Sequence, residues 1–248
     1  MSVMVMIMGA MGALSKAVNE GALYGESYGT ATQHARVAME RIAASVRGAT
    51  TSDEFPGLIV LKETDAGWEF PDILVIWHPE GAPVDPEGLP RVNELRVYCP
   101  NPESPNELIE VTFPSDGRIV PPPSDTAAWL AEAANLKTSN RAVRTVLTPM
   151  LRTASTSSVA NSVRGVVRFD IRYRPSDSEL ASYAAGTKDW DDLAWPQGIY
   201  SANTGLRQVW LRTELQVVPG STNVGVQSAE ETAIPFLGSA TRYYEVQP

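Results

Sequence analysis

The chain has 248 residues, 43% of them apolar and 20% charged, which suits one large or two small domains with a genuine core and argues against a disordered chain. A net charge of −9, a sequence pI near 4.8 and the lack of any Lys/Arg-rich block set nucleic acid and anionic lipid headgroups aside as partners, because both would repel it. Cys99 is the only cysteine, so an intrachain disulfide is excluded; with only His34 and His78 beside it, so is the usual structural zinc site of four N/S ligands.

The chain opens MSVMVMIMGAMGAL, with five methionines and no charge. As a helix this run covers roughly 21 Å against a hydrocarbon core of about 30 Å, too short to span a bilayer. No basic segment precedes it and ALSKAV is an indifferent cleavage site, so it does not read as a secretory signal. Taken alone it fits a buried helix start, an interfacial segment or part of a longer membrane helix. Apolar residues then recur at helical spacing through Ala31, Ala35, Ala38, Met39, Ile42 and Val46, with His34, Arg36, Glu40, Arg41 and Arg47 on the polar face. Gly48 and the Thr50–Ser52 cluster supply a stop. The reading is one long helix over 1–48, apolar all round at 1–14 and amphipathic to 48, passing from one solvent to another. Gly21, Gly25 and Gly29 fall four apart within it. Each glycine costs a helix about 1 kcal/mol against alanine. The stripe therefore means either a flexible or broken helix, or close packing against other helices by the small-xxx-small device.

This segment, from MSVMVMIMGAMGAL through ATQHARVAMERIAASVRGAT, resembles the N-terminal helix of type IV pilin-like proteins, including the pseudopilins of type II secretion. In that family an apolar half-helix follows a short leader and a Phe-Thr-Leu-x-Glu-like start, then leaves the membrane as an amphipathic half. The start motif and its early glutamate are not in this sequence, and Met1 falls about ten residues inside the usual mature helix. Ten more apolar residues would bring the apolar run to roughly 36 Å, enough to span. The resemblance implies a pilin-like α+β fold, a bacterial inner-membrane location with the head periplasmic or extracellular, and assembly with other pilin-like subunits and the secretion or pilus machinery. In that reading Met4, Met8, Met11, Leu14, Gly21, Gly25 and Gly29 are the helix-packing residues. A second stretch, DWDDLAWPQGIYSANTGLRQVWLRTELQV (189–217), resembles the J-type minor pseudopilin, in which a Trp-containing loop leads into a strand.

Beyond Gly48 the pattern turns to β, as a head over 49–248. Strands are expected over 57–63, 72–79, 93–100 and 107–114. Helices are expected from Thr126 to about Leu136, with Ser124 or Asp125 as N-cap, and from Asn140 to Met150. The small, polar stretch 152–162 reads as a mobile loop and the proline-rich 79–90 as another. In VVRFDIRYRP, Val167, Phe169, Ile171 and Tyr173 alternate with charged residues, giving a half-buried strand. The stretch from Val209 alternates likewise, with Leu211, Leu215 and Val217 inward, and 241–247 forms a last edge strand. A long helix with antiparallel strands packed on its amphipathic half is an α+β architecture.

Few residues suggest chemistry. Gly25-Glu26-Ser27-Tyr28-Gly29 matches the G-x-S-x-G nucleophile elbow by letters, but the elbow needs a strand before the serine, and NEGALY is not one. Asp189, Asp191 and Asp192 offer oxygen ligands for calcium without the glycine and distal glutamate of an EF-hand, so a solvated acidic loop is the simpler reading. Trp190, Trp195 and Trp210 read as core or loop anchors, His34 as a surface residue and Cys99 as a buried small side chain. There is no phosphate loop, no paired-histidine motif and no basic-aromatic stripe, and nothing argues for an enzyme or a cofactor. Three functions follow in order. The first is a structural filament subunit. The second is a tethered or soluble β-rich envelope module binding a ligand among the loops 79–90, 152–162 and 186–205. The third is a serine hydrolase using Ser27.

Overall fold

The computed structural model describes residues 2–156, 163–220 and 233–248, with the helical backbone alone for 2–7. Its first element is α1 (Ser2–Arg47), a single helix of 46 residues, about 69 Å long at 1.5 Å per residue. Its second half explains itself from sequence. Ala31, Ala35, Ala38, Ile42 and Val46 step by three or four onto one face, and all five are buried to 0–1% exposure. The helix stops at Gly48, whose N–H bonds the Ala44 carbonyl at 3.0 Å. A Cβ there would stand 2.9 Å from His78 Nε2, so glycine lets the chain turn tightly past that ring.

Two antiparallel sheets pack on this face. The first is a five-stranded meander in chain order: β1 (Leu58–Asp65), β2 (Trp68–Trp77), β3 (Leu95–Pro100), β4 (Leu108–Thr112) and β5 (Val143–Thr148). A helix, α2 (Thr126–Thr138), lies between β4 and β5 in the chain and covers the sheet's other face. On β2, Leu74 and Ile76 join the α1 core while Ile73, Val75 and Trp77 join Trp129 of α2. A strand buried on both faces is apolar without alternation, which is why ILVIW is unbroken.

After a short hairpin, β6 (Thr153–Ser155) with β7 (Val163–Gly165), the chain builds the second sheet from β8 (Val167–Arg174), β9 (Gly205–Val217) and β10 (Ile234–Val246), in the order β10-β9-β8. A short helix, α3 (Asp177–Ala184), follows β8. Phe169, Val209, Leu211, Leu215 and Ala240 meet the same face of α1. The fold is α+β, with the amphipathic half of α1 as the shared core of both sheets.

Polar contacts fix where the helix sits. Glu110 of β4, almost wholly buried, accepts from Arg41 Nε of α1 at 2.7 Å and from Arg96 Nη1 of β3 at 3.2 Å. Ser45 Oγ and the Tyr98 hydroxyl are 2.8 Å apart.

The expected helix at 140–150 is instead β5. Val143, Thr145 and Val146 are β-branched, and pairing along β4, from Thr112 beside Val143 to Leu108 beside Thr148, outweighs the weak helical spacing. The expected loop at 152–162 begins with β6, which pairs with β7; 157–162 lie outside the described residues. Of the two offered N-caps for α2, Asp125 takes the role, accepting from Ala128 N–H at 2.9 Å. The loop at 79–90, the alternation on β8 and β9 and the edge position of β10 stand as expected, although β10 begins at Ile234.

Truncating Ile42 to alanine should lower unfolding stability by about 2–5 kcal/mol, because its site is closed by both sheets. Glu110→Ala, which strands Arg41 and Arg96, should cost about 1–3 kcal/mol. Leu14→Ala should change it by less than about 0.5 kcal/mol. Urea unfolding of the three variants measures all three values.

Candidate functional site

The first half of α1 departs from the rest of the molecule. Met8, Met11 and Leu14 are each 67% exposed, and Val18, Leu23 and Tyr24 are exposed as well. No charged residue occurs from Met8 to Ser15. Lys16 and Glu20 then form an open pair at 3.7 Å, and Tyr24 and Tyr28 lie ring to ring at 6.3 Å. A side chain built on Gly9, Gly12, Gly21, Gly25 or Gly29 would meet none of the described residues within 4 Å. The helix first approaches the head at Ser27, whose Oγ lies 3.6 Å from where a Cβ would stand on Gly220, and its first buried residue is Ala31. Of the expected packing residues, Met8, Met11, Leu14, Gly21 and Gly25 thus lie before that approach and Gly29 just beyond it, all of them exposed. The Met4 side chain lies outside the described residues. Among the described residues no helix is long and apolar enough to cross a membrane.

The arrangement is physically unbalanced. Glycines at this density weaken an isolated helix by about 1 kcal/mol each. An apolar stripe left in water gains nothing by staying there. Burial against an apolar partner would relieve both, and the small residues would let that partner approach closely.

Ser27 sits inside α1, with helical backbone before and after it, so Gly25–Gly29 is not a strand-turn-helix elbow. Asp189, Asp191 and Asp192 are exposed around a short 3-10 turn, and among the described residues no three metal-binding side chains converge. That turn serves packing. Trp190 and Trp195 bury together with centroids 4.6 Å apart and, with Leu193, form a small core. Trp190 Nε1 donates to the Ser201 carbonyl at 2.8 Å and Trp195 Nε1 to the Trp190 carbonyl at 3.0 Å. Trp195 lies so close over Gly205 that no other residue fits there, which fixes where the loop becomes β9. Trp210 is half-buried under Arg172. His34 is half-buried, and Cys99 is fully buried with its thiol pushed up to about 12 by desolvation.

Of the three loops named as ligand-binding candidates, 186–205 closes on its own tryptophans. The loop 79–90 gives Leu89 to a groove of about 730 Å³ between the sheets. Arg207 borders that groove. It is almost wholly buried, donating to the Pro175 carbonyl, the Tyr244 hydroxyl and Asp177, and stacking 4.9 Å from the Tyr173 ring. These contacts satisfy it as a structural anchor.

A second internal charge group ties four elements together. Glu63 of β1 accepts from Lys137 of α2 at 2.7 Å and from Arg164 of β7, which also reaches Asp72 of β2 at 2.8 Å. Burial pushes the Glu63 carboxyl up, but Lys137 and Arg164 outweigh it and hold it below the usual carboxylate range. Burial pushes Asp72 up, and Arg164 offsets this only in part.

Compared with known protein families, curated proteins and solved structures, the chain matches none of them.

Glu63 binds its proton less tightly in the folded chain than in the unfolded one. Its stabilising effect is therefore complete above the unfolded value of about 4.3 and fades as pH falls through the lower folded value. Glu63→Gln should lower stability at neutral pH by about 1–3 kcal/mol. The gap between variant and parent in urea midpoint should close on acidification below about pH 4.

Proposed function

We propose that this chain is a structural subunit of a bacterial type IV pilus-like or type II secretion pseudopilus filament. Its N-terminal helix bundles with like helices and its β-rich head faces outward. The observation that supports the reading is the division of one continuous helix. The inward face from Ala31 to Val46 is sealed into the head, while Met8 to Tyr24 stand clear of the head's described residues, uncharged at the outset and rich in methionine and glycine. The resemblance of this helix to the pilin-like family points the same way. So does the α+β arrangement, a long helix bearing antiparallel strands on its amphipathic half.

The mechanism is assembly. Apolar side chains leave water or lipid for a bundle of like helices, and glycines at four-residue spacing allow close approach. The partners are other pilin-like subunits and the machinery that assembles them, at the inner membrane, with the head in the periplasm or outside the cell. The acidic surface gives nucleic acid no role.

A Leu14→Cys variant of the full chain tests this in cells, since Cys99 is buried and its thiol is a poor nucleophile. A short bifunctional maleimide should link the variant to further copies through their position 14 thiols. A chain that remains a single unlinked species, with the position 14 thiol labelled freely by a water-soluble maleimide, would contradict assembly and favour the binding-module reading.

A further inference from the structure

The two larger sheets end in four edge strands: β1 and β5 of one, β8 and β10 of the other. Two of these edges face each other. The Tyr173 hydroxyl of β8 donates to the Leu58 carbonyl of β1 at 2.8 Å; β8 carries charges along its length and β1 over Lys62–Asp65, the usual defence against pairing. The other two are different, and both border α1. From Phe236 to Thr241 β10 holds six uncharged residues, and Leu237 is 64% exposed. In β5, also six residues, Val143 to Val146 are all exposed, as befits an edge open on both faces. Its one charged residue, Arg144, is turned back onto the Lys137 and Ser139 carbonyls at 2.7 and 3.0 Å.

A groove of about 430 Å³ runs between α1 and β10. Residues of both faces of β10, 236 to 240, line it, so it follows the strand's open edge. Met39, Ile42 and Ala43 of α1 form an apolar wall, and Arg36, Glu40 and Arg47 of the same helix also line it. Gly238 has no side chain where Met39 bends in against the strand. An edge with no strand partner among the described residues, beside a groove with an apolar wall, is the geometry of strand addition, in which the backbone supplies hydrogen bonds and the groove receives alternate side chains.

We propose that the β10 edge of one copy pairs with the β5 edge of a second copy, joining heads head to tail; this rests on the filament reading. The six residues of β5 fit within the eight-residue uncharged run Ile234–Thr241 of β10. Val143 and Val146 lie three apart and so on opposite faces of β5, so that one is on the groove side of β10 and the other on the Leu237 side. Two different edges meeting make a heterologous contact, which need not close and generates an open helical array.

Full-length Leu237→Cys and Val146→Cys chains are expressed together and treated in cells with a short bifunctional maleimide, with Leu14→Cys chains in parallel. The pairing predicts mixed 237–146 links above 237–237 and 146–146 links. Leu237→Lys, at an exposed position, should reduce links between Ser239→Cys and Val146→Cys about tenfold with no change in thermal midpoint. An undiminished yield in that variant overturns the pairing. So does a predominance of 237–237 links, which indicates a symmetric contact. Leu14 links without 237–146 links overturn the strand pairing and leave the filament intact. Absence of both overturns the filament reading too.

Discussion

One face of one helix carries this fold. Ala31, Ala35, Ala38, Ile42 and Val46 form the only surface on which the α1-facing residues of the two larger sheets both close, among the described residues. Three of the five are alanines, so the strands approach the helix axis closely. Leu74, Tyr98, Phe169 and Leu211 supply the bulk that the helix does not. Without this face both sheets would expose apolar residues to water, and nothing else described would replace it. Dispersion and burial do most of the holding. Glu110, gripped by Arg41 and Arg96, sets the rotation and height of the helix, because a buried carboxylate accepts no other placement cheaply.

This constraint has a consequence for the other half of α1. A helix anchored by its last seventeen residues is already nucleated, so further turns add one hydrogen bond per residue fixed. The head therefore holds the start of a rod, and the rod extends with little support of its own. Its composition suits contact with apolar neighbours better than contact with water. The same molecule leaves two strand edges with few charges, β5 and β10, beside the anchored half of that helix. A subunit with a greasy helix and paired edges would be held at two radii, by helix packing inside and strand pairing outside.

Much of this was legible in the sequence, and the reasons are particular. The three-and-four spacing from Ala31 to Val46 is a strong periodic signal, and it placed the buried face residue by residue. Alternation on β8 and β9 marked their inward sides equally well. Residues 140–150 misled because a six-residue β-branched run is short enough to fit either period, and only its pairing with β4 decides. The strand β6 is only three residues long and α3 only eight, below what periodicity resolves, although Ser176 and Glu179 of α3 do form the capping box that their spacing announces. The candidate surface could be read from the uncharged opening run and the glycine spacing. The internal charge groups could not, because Arg41 meets Glu110 across 69 residues and Arg164 meets Glu63 across 101. Arg207 was hidden for the same reason, on the inward side of an otherwise apolar alternation.

Amide hydrogen exchange along α1 in the isolated, solubilised monomer tests the division of the helix most directly. Slow exchange over 31–47, at the rate of global unfolding, with fast exchange over 8–27, is the predicted pattern. Equal protection of both halves in the monomer would mean that the methionine-rich end is already buried within its own chain, with no surface left to offer a neighbour.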